Sequence, residues 1–68
     1  MEVQTFAPYD SDERIVEFRS QDDHGAIVEV LEVFRRGDSE ELFVRLIDDT
    51  VSVELIQWAI GEATRRLT

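Results

Sequence analysis

The chain contains no cysteine, no lysine and no asparagine, and only one histidine and one proline. Without cysteine there can be no disulfide and no thiolate metal centre. A lone histidine, His24, excludes a multi-histidine zinc site within one copy. With Gly25, Gly37 and Gly61 as the only glycines, there is neither a phosphate-cradling glycine loop nor a Gly-x-Ser-x-Gly nucleophile elbow. No apolar run approaches the roughly 18 residues of a membrane span. The opening Met1-Glu2-Val3-Gln4 lacks the basic start and apolar stretch of a signal peptide. These absences predict a cytoplasmic, non-membrane chain that is not an enzyme and carries no cofactor.

What is present is acid. Sixteen Asp and Glu residues face seven arginines, for a formal net charge of −9 in 68 residues. Such self-repulsion opposes a compact state in dilute buffer. At molar salt the Debye length falls to about 3 Å and the repulsion is largely screened. The charge therefore reads as adaptation to a salt-filled (halophilic) cytoplasm. A rival reading is an acidic DNA mimic.

A chain this short forms a single domain, residues 1–68, and buries only about 60% of the surface its unfolded form exposes. Small domains usually need added support. With disulfides excluded, self-association or docking on a larger partner is the expected support.

Residues 3–7 read as weakly extended, Pro8–Asp12 as a turn, and Arg14–Arg19 as a strand with Val16 and Phe18 on one face. Residues 23–36 admit two readings. As a strand, each face carries a glutamate in its middle, Glu29 or Glu32. As a helix, Ala26, Ile27, Val30, Leu31, Val33 and Phe34 fill one apolar arc, with Asp22 or Asp23 as cap and Gly37 as terminator. The helix is the cleaner pattern. Leu42–Ile47 reads as a strand, its short length and β-branching favouring that over a short helix capped by Ser39. Ser52 caps a final helix running to Leu67, with Val53, Ile56, Ala59, Ile60, Ala63 and Leu67 as its apolar stripe. The expected fold is α+β, a small two-layer domain in the order β-β-α-β-α. It would have a two- or three-stranded sheet, a parallel crossover and two helices. A mostly helical, helix-turn-helix-like chain is the alternative.

Three constellations stand out. Asp22, Asp23, Asp48 and Asp49 would lie at the carboxyl ends of parallel strands, where a hard cation could bind. Equally, they serve as ordinary caps and turn residues, so no metal is expected. Arg35, Arg36, Arg65 and Arg66 would end two helices and could reach nucleic-acid phosphates, although such contacts weaken steeply with salt. Trp58 points away from the apolar stripe, with Leu55 and Val51 to one side. Such an indole is either covered by the N-terminal segment through Phe6 and Tyr9 or anchors an interface. Tryptophan is enriched among interface hot spots, so these three are the candidate interface anchors. The leading expectation is a non-enzymatic protein–protein interaction module, homo-oligomeric or bound to a protein partner. A small DNA-binding regulator is the alternative, and the DNA-mimic inhibitor the third reading.

Overall fold

The computed structural model describes all 68 residues. Four strands run β1 (Glu2–Phe6), β2 (Glu13–Gln21), β3 (Ile27–Arg36) and β4 (Phe43–Leu46), followed by one helix, α1 (Val53–Leu67). The sheet order is β1-β2-β3-β4, with every neighbouring pair antiparallel. The fold is α+β, but the expected order with two helices, two or three strands and a parallel crossover is incorrect, and so is the helix-turn-helix-like alternative. The error lies in residues 23–36, of which Ile27–Arg36 form the longest strand rather than a helix.

The reason is a one-residue bulge. Phe18 pairs with Leu31 while Arg19 pairs with Glu29, leaving Val30 as the extra residue on β3. Side chains alternate along a strand, and a bulge resets the alternation. Counted across it, Val28, Val30, Leu31 and Val33 all turn toward α1, while Ile27, Glu29, Glu32 and Phe34 turn to the other face. The glutamates that made a strand look improbable therefore share one side.

Local signals explain the turns. Asp22 Oδ1 accepts from the His24 and Ala26 backbone N–H groups, both at 2.9 Å, the side-chain mimicry by which Asp builds turns. Gly25 then takes a φ of +83°. Gly37 does not end a helix. It has a φ of +52°, and a Cβ there would lie 2.8 Å from Asp12 Oδ2. Ser52 caps α1 as the sequence predicts, accepting from the Leu55 N–H at 3.1 Å.

The core lies between α1 and the two central strands. Val16, Phe18, Val30, Leu31 and Val33 pack against Ala59, Ala63 and Leu67, with Val3, Leu42, Val51, Leu55 and Ile56 half-buried around them. Ala59 and Ala63 are wholly buried, so the helix backbone rides close to the sheet. The expected stripe is shifted: Val53 and Ile60 are 65% and 38% exposed, and Leu55 packs inward instead.

Phe18→Ala should cost about 3–5 kcal/mol, comparable with the whole margin of a domain this size, and Ala63→Leu about 1–3 kcal/mol through overpacking. Ile60→Ala should cost roughly 1 kcal/mol or less. Thermal melts by circular dichroism check the order, and an Ile60→Ala variant as damaged as Phe18→Ala would contradict this packing.

Candidate functional site

The face of the sheet turned away from α1 has no covering layer, yet part of it is closed by its own side chains. Register places Phe6, Ile15, Phe34 and Phe43 in one cross-strand row. Phe34 and Phe43 stack with centroids 5.5 Å apart. The Arg36 guanidinium lies 5.2 and 5.0 Å from these two rings, and that of Arg45 lies 4.5 Å from Phe34. Arginine planes thus roof the Phe34 and Phe43 end of an apolar row in which Ile15 and Phe34 are buried.

The next row is Gln4, Glu17, Glu32 and Arg45. Glu17 and Glu32 sit directly opposite each other and are each only 8% exposed. Glu29 completes a cluster in which carboxylate oxygens of all three lie within 4.8 Å of one another. Like charges directly opposite are destabilising, and two arginines offset them. Arg45 Nη1 donates to Glu32 Oε1 at 2.8 Å. Arg19 donates from Nη2 to Glu2 and Gln4 at 2.8 and 2.9 Å, and its Nε lies 3.2 Å from Glu17 Oε1. The compensation is incomplete. A hydrogen bond to Glu29, burial, and the Glu29 and Glu32 charges raise the Glu17 carboxyl to about 7, against the lowering pull of Arg19.

Three carboxylates at this spacing are the donor type a hard cation takes, but arginines already contact two of them. A carboxyl titrating near neutrality suits acid–base chemistry when it lines a cleft; here it lies on an open sheet face. The one depression, about 410 Å³, is bounded by Met1, Glu2, Arg19, Ser20, Gln21 and Ile27, and its one carboxylate, Glu2, is taken up by Arg19 at 2.8 Å. The sequence showed Glu29 and Glu32 among apolar residues, but bringing Glu17 beside them requires the strand register.

The residues singled out in the sequence are placed as follows. Asp22, Asp23, Asp48 and Asp49 do not form a ligand cluster: Asp22 builds the β2–β3 turn, and Asp48 accepts from the Thr50 N–H at 3.0 Å. His24 is exposed in that same turn. Arg35 and Arg36 end a strand, so their side chains leave on opposite faces of the sheet. Arg65 and Arg66 sit in the last turn of α1, both paired with Glu62. Val51 and Leu55 are half-buried against the core. Trp58 leans edge-on against Phe18, centroids 5.6 Å apart, and stays 47% exposed.

A second surface was not foreseen. Trp58 and the Arg66–Thr5 hydrogen bond place one flank of α1 over β2 and β1. The opposite flank of α1 carries Val53 and Ile60, both exposed, and the helix packs on β2 and β3. A single helix fails to cover the sheet: Val28, Val44 and Leu46, all on the helix side, are 41%, 40% and 48% exposed. No helix is long and apolar enough to cross a membrane. No family model, curated protein or solved structure matches the chain.

The Glu17 shift has a definite sign. Its folded pKa lies above its unfolded value, so the native state holds the extra proton, and stability falls as pH rises from about 4.5 to about 7. Glu17→Gln should raise the melting temperature at pH above 7 and flatten this part of the profile. A variant less stable than the parent at that pH, with an unchanged profile, would contradict the assignment.

Proposed function

We propose that this chain is a non-enzymatic protein–protein interaction module that works by self-association in a salt-adapted cytoplasm. The observation that carries this reading is the set of large apolar side chains left exposed on the helix side of β4, Val44 and Leu46, together with Val53 and Ile60 on α1. Contiguous exposed apolar surface on a soluble domain marks an interaction site more often than chance exposure. It is the more telling on a chain with a formal charge of −9. The small size supports the same reading, because a 68-residue domain is only marginally stable alone and a second copy would add buried surface.

Trp58 lies on the opposite flank, half-exposed and edge-on against Phe18, while Val51 and Leu55 already pack against the core. The arginine geometry gives the nucleic-acid reading no support. Five of the seven arginines are engaged with carboxylates, and Arg35 and Arg36 diverge across the sheet. Arg14 and Arg35, which lack such partners, face each other across β2 and β3 as an isolated pair.

Light scattering coupled to size exclusion checks the reading. In about 2 M KCl, where the Debye length is about 2 Å, the mass should be twice the 7.9 kDa of one chain, with dissociation favoured as salt is lowered. A monomer mass at high salt and high protein concentration would contradict it.

A further inference from the structure

We propose that two copies of this chain pair edge to edge through β4, antiparallel about a two-fold axis at Val44, joining two four-stranded sheets into one. The inference rests on the self-association reading and adds where, and in which register, the copies meet.

β4 is a free edge. The Ile47 N–H donates to the Val30 carbonyl at 3.0 Å, and this pair continues the β3–β4 register. Backbone groups alternate in direction along an antiparallel ladder. The N–H and C=O of Phe43 and Arg45 therefore face β3, and those of Val44 and Leu46 face outward. An exposed edge is a template for another strand.

Charge selects this edge over the other. β4 is the one element without an acidic residue. β1 carries Glu2, β2 Glu13 and Glu17, β3 Glu29 and Glu32, and α1 Glu54 and Glu62. Two copies with a formal charge of −9 repel each other over most of their surface. At β4 strand meets strand with no carboxylate on either.

Register follows from the faces. In a continuous sheet, directly opposed residues share a face, so the axis falls on a residue and not between two. An axis at Arg45 sets guanidinium against guanidinium. An axis at Val44 sets Val44 against its own copy and Leu46 against Leu42 of the second copy, all on the helix side. Arg45 then meets Phe43 of the second copy on the other face, extending the arginine–aromatic row already present within one chain. The same register brings Glu40 level with Asp48 of the second copy at each end, so pairing strengthens as salt screens them.

The chain has no cysteine, so single-cysteine variants report position directly. In this register, residue 44 meets its own copy at a Cα separation of about 5.5 Å, inside the roughly 4.4–6.8 Å that a disulfide spans. Val44→Cys, Arg45→Cys and Thr5→Cys, the last on the β1 edge, are oxidised in about 2 M KCl, where charge is screened, after circular dichroism confirms folding. Val44→Cys should cross-link at least about tenfold faster than either other variant, as only its sulfurs lie within bridging distance. Leu46→Lys, with its charge on the exposed helix side of β4, should be monomeric. Faster cross-linking of Arg45→Cys overturns the register, and of Thr5→Cys the choice of edge. A wild-type dimer in which Val44→Cys does not cross-link, or which Leu46→Lys leaves intact, overturns β4 pairing alone. A wild-type monomer in the same buffer overturns the self-association reading itself.

Discussion

The pairing of β2 with β3, with its bulge at Val30, is the constraint on which the other features of this domain depend. It sets Val16 against Val33 and Phe18 against Leu31 on the helix side, the patch on which Ala59 and Ala63 can approach closely. It also sets Glu17 against Glu32 on the other side. A shift of one residue would exchange the faces, sending charge under the helix and apolar residues to solvent. The bulge lets ten residues of β3 satisfy both faces although their sequence does not alternate evenly.

Two consequences follow for the surfaces. The face without a helix is closed in part by arginine, whose planar head both stacks on rings and meets carboxylates. Arg45 does both, lying over Phe34 and donating to Glu32. The use of arginine throughout, with no lysine, suits a surface where basic side chains must cover apolar rings as well as balance charge. On the helix face, α1 covers β2 and β3 but is too narrow for four strands. The uncovered part lies at β4, which carries no acidic residue, and these two facts together support the proposal that a second copy pairs there.

Much of the architecture is legible in the residues. Composition excludes disulfides and membrane-spanning helices. Arg14–Arg19, Leu42–Ile47 and Ser52–Leu67 announce their elements through alternation, length and capping. Residues 23–36 mislead for a physical reason: the bulge places Val30 and Leu31 side by side on one face, and this break in a period of two imitates a period near 3.6. Once that segment is read as a helix, the arginines after it appear at a helix end and the paired aspartates at parallel strand ends, so both constellations inherit the error. The glutamate triad needs strand register to be seen, because Glu17 is distant in sequence from Glu29 and Glu32. The exposed apolar side of β4 needs the helix position, which depends on which strands α1 overlies. Neither is a local property of sequence.

The central claim is that β4 is completed by a second copy of itself. Amide hydrogen exchange at Val44 and Leu46 tests it most directly, since their N–H groups face away from β3. In concentrated protein at high salt these two amides should be protected. On dilution they should lose protection while the Phe18 and Leu31 amides, within the β2–β3 ladder, keep theirs. Exchange at Val44 and Leu46 at the rate of unpaired amides, at every concentration and salt, would contradict the account.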